Sequence, residues 1–305
     1  MNQTEGTSPT GEPGIGRGCG CLITIAVFIV WFAGIAIIET AFYFTDRPTY
    51  SYLFPLSAVE FLFTFGVVWV FWIMMRAHNP LGELGLIPDR KSALQFINGL
   101  ILGAAGVGIA VALIAMGGAV SIKKGHPSWP GSEYMGRKSW LLAIAIFLLY
   151  AVNEEIIMRG FLYPFIKRLL GFIPALVTST LVFTLMHLFN AGFSVIPFID
   201  IFLAGVFLVL LRELTGNLWL AWGAHFAWNF ALVVAGLPVS GNAMLLDPQP
   251  YHVAVSGPDW LTGGLFGPEG GLSGVGADLF LIAITAYLLY LKGKKEVRNS
   301  EIIDE

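Results

Sequence analysis

The feature that most constrains this chain is a series of long apolar segments that contain few charged residues. A helix needs about 20 mainly apolar residues to cross the hydrocarbon core of a bilayer. Segments near this length occur at about 22–44, 52–75, 93–119, 140–165, 172–191, 195–211, 216–236 and 277–291. The pattern predicts an all-α, polytopic integral membrane bundle of about eight transmembrane helices.

The composition of the chain agrees with this class and excludes others. Hydrophobic residues make up 56% of the 305 residues and charged residues 12%, whereas a soluble domain is about one quarter charged. A soluble globular enzyme and a disordered chain are therefore excluded. The formal net charge of −3 offers no basic surface for phosphates, so we expect membrane lipid and no nucleic acid as a partner.

The polar segments define the predicted domain limits and orientation. We predict one transmembrane domain over 19–292, with its motif core at 140–235, between a disordered polar N-terminal tail, 1–18, and a polar C-terminal tail, 293–305. Cytoplasmic flanks of transmembrane helices carry an excess of Lys and Arg. With both ends inside, 11 of the 17 Lys and Arg residues flank the inner side and 5 the outer side. Both termini are therefore predicted to be cytoplasmic.

Ionisable residues inside the spans are costly to bury and usually have a partner or a task. They concentrate in three motifs, which are Glu154-Glu155 with Arg159, Phe183 with His187, and His225 with Asn229. At 1.5 Å per residue, Glu154, His187 and His225 each lie about 20 Å of helix from the inner side. The three motifs are therefore predicted to meet near the middle of the bilayer.

Helical spacing distinguishes the two neighbouring glutamates. Residues four apart share one face of a helix, so Glu155 and Arg159 are predicted to form an ion pair. Glu154 points elsewhere and has no cation at that spacing, which makes it the candidate general base. His225 and Asn229 are also four apart, and together they present hydrogen-bond donors of the kind that stabilise an oxyanion.

Each motif taken alone also has a structural interpretation. A single intramembrane His often only bonds a neighbouring helix, and a Glu–Arg pair is often structural. Phe183 is interpreted as a packing residue that orients the His187 ring, and Gly99 with Gly103 as a close contact between helices. Isolated polar residues in or near the spans are interpreted as interhelical contacts or cavity edges, namely Glu39, Glu60 and Asp200.

The order and spacing of the motifs resemble the CPBP family of CAAX-protease and bacteriocin-processing intramembrane endopeptidases. This family is also called Abi and includes the type II CAAX prenyl proteases. Besides the seven motif residues, Gly216-Asn217-Leu218-Trp219 carries the resemblance. The motifs cover about 140–235, and the eight-span layout extends the similarity over most of the chain. The resemblance implies a CAAX-prenyl-protease-like helix bundle with a cavity open to the cytosol and the lipid.

The resemblance also implies a reaction and the residues that perform it. The catalytic residues that it implies are Glu154, His187, His225 and Asn229, and the orienting residues are Glu155, Arg159 and Phe183. Glu154 would activate a water molecule that His187 helps to hold, and His225 with Asn229 would form the oxyanion site. The implied substrate is a peptide or lipidated protein, such as a prenylated protein that loses its last three residues.

A metal-dependent reaction is the alternative mechanism. Two His and one Glu are a plausible catalytic zinc set in a metalloendopeptidase, and Glu154, His187 and His225 would then be the ligands. The HExxH motif is absent, and the three side chains come from three different helices. We therefore favour catalysis without a cofactor.

Two other functions are compatible with the same residues. The chain could be a non-proteolytic regulatory or immunity protein that binds another membrane protein, such as a sensor kinase. It could also be a proton-coupled transporter, because intramembrane Glu and His residues form proton relays. The two halves of the chain show no similarity of the kind that many transporters have, so the transporter ranks last.

Overall fold

All eight predicted apolar segments are helical in the computed structural model, which describes residues 17–43, 53–75, 79–128, 133–134, 139–246 and 248–303. Within these residues, six helices are long and apolar enough to cross a membrane. The fifth and seventh segments form shorter helices of 14 and 17 residues. The prediction of an all-α polytopic membrane bundle is confirmed.

The helices follow the chain with short connections. The long and intermediate ones are α1 (Arg17–Tyr43), α2 (Leu53–Met74), α4 (Ser92–Met116), α5 (Ser139–Glu155), α6 (Tyr163–Leu170), α7 (Phe172–Leu185), α8 (Val195–Thr215), α9 (Trp219–Ala235) and α11 (Leu272–Ile303). The short ones are α3 (Pro80–Leu84) and α10 (Asp259–Thr262), and two 3-10 turns lie at Gly264–Phe266 and Pro268–Gly270.

The predicted tails have different outcomes. The N-terminal tail is predicted to be disordered over 1–18. Residues 1–16 of it lie outside the described residues, and α1 begins at Arg17. The predicted C-terminal tail continues α11 as a polar extension as far as Ile303. The domain limits remain predictions.

Among the described residues, two small strand pairs lie outside the helices. The strands β1 (Val120–Lys124) and β4 (Tyr251–Val255) pair antiparallel, with Ile122 opposite Val253. The strands β2 (Glu133–Tyr134) and β3 (Met244–Leu245) pair in parallel. Neither pair is predicted from the sequence, because each joins residues more than 100 positions apart and leaves no local pattern of useful length.

The fourth segment is one continuous helix with an irregular centre. Between α5 and α6, Ile156–Leu162 forms a π-helical turn, a feature that often marks functional sites. Pro164 has no N–H to donate to the Gly160 carbonyl, and Trp72 Nε1 donates to that carbonyl at 3.3 Å instead. The proline thus lies two residues after the wider turn ends, and a side chain from α2 bonds to the carbonyl that lacks its N–H.

Two hydrophobic clusters form the interior. One consists mainly of residues from α4, α5, α8, α9 and α11. The other consists mainly of residues from α1, α2, the π-helical turn, α6 and α7. Because the fourth segment contributes its first half to one cluster and its second half to the other, its centre lies where the clusters meet.

The close contact predicted for two glycines of α4 is formed against α9. A Cβ on Gly103 would lie 2.1 Å from the Ala224 carbonyl oxygen, and one on Gly99 would lie 2.3 Å from the Leu220 carbonyl oxygen. Both oxygens belong to the backbone of the helix that carries His225. The contact of α4 with α9 therefore holds one of the candidate site residues at its depth.

We expect Gly103→Ala to destabilise the protein by about 1–3 kcal/mol, as overpacking of a tight core does. The matched control is Gly108→Ala, because nothing lies within 4 Å of a Cβ at that position of the same helix. Because alanine has a higher helix propensity than glycine, this control should be neutral or should stabilise the protein by up to about 1 kcal/mol. The free energy of unfolding in mixed micelles is measured for both variants. Equal changes in this free energy for Gly103→Ala and Gly108→Ala would contradict a tight contact between Gly103 and α9.

Candidate active site

A cavity of about 470 Å³ lies between the two hydrophobic clusters. Helices α1, α2, α5, α7, α8, α9 and α11 contribute to its wall, as does the segment that follows α9. The candidate site residues that line it are Glu154, Phe183, His187, His225 and Asn229. The structure therefore brings all three sequence motifs together.

Glu155 is the centre of a buried polar network behind the cavity wall. Its Oε1 accepts hydrogen bonds from Arg159 Nη1 at 3.0 Å and from His225 Nδ1 at 2.9 Å. The side chains of Glu155 and Arg159 are 0% and 1% exposed. Since a buried charge is stable only when it is paired and hydrogen-bonded, this carboxylate has a structural task that ties α5 to α9.

The Arg159 guanidinium extends the same network to two more helices. Its Nη2 donates to the Gly205 carbonyl of α8 at 3.2 Å, and its Cζ lies 4.5 Å from the centre of the Phe183 ring in α7. The π-helical turn leaves the Arg159 carbonyl without a regular helical donor, and Arg212 Nε lies 3.4 Å from that oxygen. Arg159 thus connects the fourth segment to α7 and α8.

Glu154 has a different environment from its neighbour. Its side chain is 28% exposed and lines the cavity. Its Oε2 lies 3.5 Å from His225 Nε2, but no hydrogen bond to that oxygen is formed within the described part of the chain. The two adjacent glutamates therefore have different environments. Glu155 is bonded to two partners, whereas Glu154 faces the cavity.

His187 lies two residues past the end of α7, and its ring is fixed by local contacts. Its Nδ1 lies 2.9 Å from the Phe183 carbonyl oxygen, which can only accept, so Nδ1 is the donor. The Phe183 ring packs edge-on against both His187 and His225, with centroid distances of 5.0 and 6.0 Å. In the neutral ring, Nε2 then carries the free lone pair.

The three candidate zinc ligands do not form a metal site as they stand. Among the residues that the structure describes, no three His, Cys, Asp or Glu side chains are arranged to hold a metal ion. His225 is bonded through Nδ1 to Glu155, and His187 through Nδ1 to the Phe183 carbonyl. A ligand set of Glu154, His187 and His225 would need the side chains to move.

One buried glutamate of the site was missed by sequence reasoning. Glu269 lines the cavity and accepts hydrogen bonds from Trp228 Nε1 at 2.9 Å and from Ser240 Oγ at 3.0 Å. Ser240 also donates its backbone N–H to Glu269 and has a φ of 45°, which is unusual for a residue with a side chain. Glu269 lies in a glycine-rich loop and has no periodic pattern around it, so no sequence signal indicated its burial.

Glu269 belongs to a segment that covers one end of the cavity. We call residues 236–246 and 248–271 the cap segment. Asn190 Nδ2 donates to the Ser240 carbonyl at 2.7 Å, and the Gly241 N–H donates to the Phe266 carbonyl at 3.0 Å. Gly263 has a φ of 83°, and a Cβ there would lie 1.6 Å from the Gly267 carbonyl oxygen, so the turn requires glycine. The cap segment is therefore a packed structure.

The structure also gives the locations of the three isolated carboxylates in or near the spans, Glu39, Glu60 and Asp200. Glu39 and Glu60 line the cavity, as the interpretation as cavity edges expected. Asp200 does not stand alone, because it lies close enough to Asp278 and Glu269 for their charges to interact. Both Asp200 oxygens are buried without a hydrogen bond among the described residues. The sequence could not reveal this cluster, since its members come from three distant segments.

Comparison with known proteins found one similarity, which covers the three motifs. Residues 136–231 match the family model described as Type II CAAX prenyl endopeptidase Rce1-like. The matched region includes all seven candidate site residues. Comparisons with curated proteins and with solved structures gave no match.

Fold and family together define the class of the molecule. It is an integral membrane protein, because its apolar helices form a polytopic bundle. Its residues 136–231 are similar to the CAAX prenyl endopeptidases, which are a family of proteases. The resemblance predicted from the motifs is confirmed at this level.

Proposed function

We propose that this protein is an intramembrane endopeptidase in which Glu154 activates the attacking water molecule. The observation that carries the proposal is the separation of the two glutamates. Glu155 is bonded to both Arg159 and His225, whereas Glu154 faces the cavity and has only His225 Nε2, 3.5 Å from its Oε2, as a neighbouring basic group among the described residues. A carboxylate in reach of a bound water is the group that hydrolysis requires.

The proposed reaction uses the other cavity side chains in defined ways. The Nε2 lone pair of His187 accepts a hydrogen bond from the water, and Glu154 removes a proton as the water oxygen attacks the carbonyl carbon. Asn229 and an imidazolium at His225 donate to the resulting oxyanion, with Nδ1 of His225 held by Glu155. Glu154 then gives the proton to the leaving nitrogen as the C–N bond breaks, so the products are a carboxylate and an amine.

The orienting role proposed for Phe183 and the buried pair follows from their contacts. The Phe183 ring contacts both imidazoles and the Arg159 guanidinium, and its carbonyl oxygen accepts from His187. A site held from several helices in this way loses little entropy when substrate binds. We propose Glu155, Arg159 and Phe183 as positioning residues.

The substrate that the family suggests is a prenylated protein with a C-terminal CAAX sequence, which would lose its last three residues. A farnesylated peptide of this kind is the first substrate to test with purified protein in detergent micelles. Mass spectrometry identifies the bond that is cut. If wild-type protein binds the peptide but cuts neither it nor other membrane peptides, a non-proteolytic regulatory function is supported instead.

We expect a strong chelator to leave the rate of cleavage within about twofold of the untreated rate. The reason is that the proposed chemistry uses Glu154 and two imidazoles, a combination that activates water without an ion. The measurement is the initial rate after incubation with chelator and removal of free metal. Loss of the rate with recovery on adding zinc would instead make Glu154, His187 and His225 metal ligands.

The charge of the cavity wall predicts a preference among substrates. Its acidic residues are Glu39, Glu60, Glu154, Glu269 and Asp278, and no Lys or Arg is among the described residues that line it. We expect peptides with a basic side chain next to the scissile bond to have a kcat/KM at least about tenfold above acidic counterparts, equivalent to 1.4 kcal/mol. Equal values would show that this wall does not contact the substrate.

A further inference from the structure

A second cavity lies at the end of the bundle where α6 and α8 end. Its volume is about 430 Å³, and its polar lining residues are Tyr163, Lys167, Arg168, Arg212 and Glu213. Three of these side chains carry a positive charge and one carries a negative charge. The cavity is separate from the candidate active site, because none of the candidate catalytic residues lines it.

The second cavity has a buried floor and an open rim. On the floor, Arg212 and Tyr163 are 9% and 1% exposed. At the rim, the side chains of Lys167 and Arg168 are 40% and 53% exposed. A ligand in this cavity would therefore contact exposed cations as well as polar groups that are shielded from bulk water.

The buried guanidinium of Arg212 has no acidic partner. Its Nε lies 3.4 Å from the Arg159 carbonyl oxygen, and its Nη2 lies 3.4 Å from the Glu83 carbonyl oxygen. Both distances exceed the usual range for a hydrogen bond from nitrogen to oxygen. Among the described residues, Arg212 forms no ion pair with a carboxylate. Since a buried charge is costly unless it is paired, this side chain is suited to binding an anion.

Tyr163 supplies a second donor on the floor. Its buried hydroxyl makes no hydrogen bond among the described residues, although the Glu213 carboxylate lies close enough for its charge to act on it. Both oxygens of Glu213 are bonded to Lys167 Nζ at 2.7 Å. Because Lys167 balances its charge, Glu213 does not exclude an anion from the cavity.

A phosphate group has the chemistry that these donors require. Two of its oxygens can accept parallel hydrogen bonds from one guanidinium, and the others can accept from a hydroxyl or an ammonium group. Basic pockets between transmembrane helices bind phosphate-bearing lipid headgroups in this way.

The position of the cavity favours a lipid as the source of the phosphate. With 21 residues, α8 is long enough to cross a membrane, so its end lies near the level of the headgroups. Trp219, three residues after the cavity ends at Gly216, is of the residue type that is enriched at the membrane–water interface. Leu170 and Ile173, at the end of α6 and the start of α7, are exposed apolar side chains that acyl chains can cover.

We infer that the second cavity binds the phosphate group of an anionic phospholipid. Arg212 and Tyr163 bind the phosphate oxygens, Lys167 and Arg168 lie beside the headgroup, and the acyl chains run along Leu170 and Ile173. This inference does not depend on the proposed peptidase function, because the two cavities share no lining residue.

Two substitutions that conserve charge test the inference. Arg212→Lys keeps the positive charge but removes the planar group that pairs with two oxygens, and Tyr163→Phe removes only the hydroxyl. The control is Lys295→Gln, which removes an exposed charge of α11 that lies outside the cavity. Each purified protein is titrated with phosphatidylglycerol in micelles of a neutral detergent, and the bound lipid is counted by native mass spectrometry.

We expect the Kd for phosphatidylglycerol to rise at least about tenfold in Arg212→Lys and about threefold in Tyr163→Phe, as loss of a charge-assisted and of a neutral hydrogen bond predicts. In Lys295→Gln it should change less than about twofold, whereas diffuse attraction to basic residues would weaken binding about fivefold for each charge removed. Wild-type affinity in both charge-conserving variants would overturn the inference.

The stability of the variants is measured alongside binding, by thermal unfolding in the same micelles. Arg212→Lys loses contacts to two backbone carbonyls and can unfold for that reason. Tyr163→Phe removes no hydrogen bond among the described residues, so we expect it to stay folded. A folded Tyr163→Phe protein that binds phosphatidylglycerol as tightly as wild type would by itself overturn the role of the cavity floor.

Two further ligands separate the sources of phosphate. Phosphatidylcholine has the same phosphate next to a cation, which the basic rim repels, so we expect it to bind at least about tenfold more weakly. An excess of inorganic phosphate should change the Kd for phosphatidylglycerol less than about twofold, since it cannot contact the apolar surface. Equal binding of phosphatidylcholine would overturn the requirement for an anion, and displacement by inorganic phosphate would overturn the lipid as the ligand.

Discussion

Glu154→Gln is expected to lower kcat by about 10²–10⁴-fold, which is the contribution of a positioned general base. Glutamine has nearly the same shape as glutamate, but its amide cannot take a proton from water. The protein should stay folded, because the buried Oε2 of Glu154 makes no hydrogen bond within the described residues. Steady-state kinetics on the peptide and a thermal unfolding curve measure the two effects separately.

The matched control for this change is Glu60→Gln, which alters another glutamate of the same cavity wall. Glu60 contacts the space in which substrate would lie, but it has no imidazole partner among its described contacts. We expect it to change KM more than kcat and to lower kcat less than about tenfold. A Glu154→Gln protein with wild-type kcat, or a larger kcat loss in Glu60→Gln, would contradict the assignment of the base.

Arg159→Met is expected to destabilise the protein by about 3–5 kcal/mol, the cost of leaving one buried charge without its partner. The change removes the bond to the Glu155 carboxylate, which is 0% exposed, the bond to the Gly205 carbonyl and the contact with the Phe183 ring. The free energy of unfolding in mixed micelles is the measurement. Arg298→Met is the control, because Arg298 is exposed and surface changes are usually within about 0.5 kcal/mol.

A second substitution separates the effect of the unpaired Glu155 charge from the effect of losing the Arg159 side chain. In the Glu155→Gln, Arg159→Met double variant no charge of the pair remains, so we expect it to recover at least about 1 kcal/mol relative to Arg159→Met. Cleavage should remain low in the double variant, since His225 has lost its carboxylate partner. If Arg159→Met is as stable as wild type, the pair does not hold the helices together.

Local patterns in the sequence predicted the parts of the fold that depend on short-range periodicity. All eight apolar segments are helical, and the spacing of Glu155 and Arg159 predicted an ion pair that the structure contains. The interpretation of Gly99 and Gly103 as a close helix contact is also confirmed by their position against the α9 backbone. In each case residues within one or two helical turns determine the result.

The parts that sequence reasoning missed depend on contacts between distant segments. In the π-helical turn, Trp72 donates a hydrogen bond to the Gly160 carbonyl and Arg212 donates one to the Arg159 carbonyl. Neither Trp72 nor Arg212 is near the turn in the sequence. The bond between His225 and Glu155 spans 70 residues. Glu269 is buried because the cap segment folds back over the cavity, and a glycine-rich loop has no periodicity from which to predict this.

The central claim is that this protein hydrolyses a peptide bond with Glu154. The most direct measurement compares purified wild-type and Glu154→Gln proteins, of equal monodispersity, on one farnesylated CAAX peptide, with the released fragments counted by mass spectrometry. The account predicts a single cut by the wild type in the presence of chelator and a rate at least about 100-fold lower in the variant. The same cut at the same rate by both proteins would contradict it.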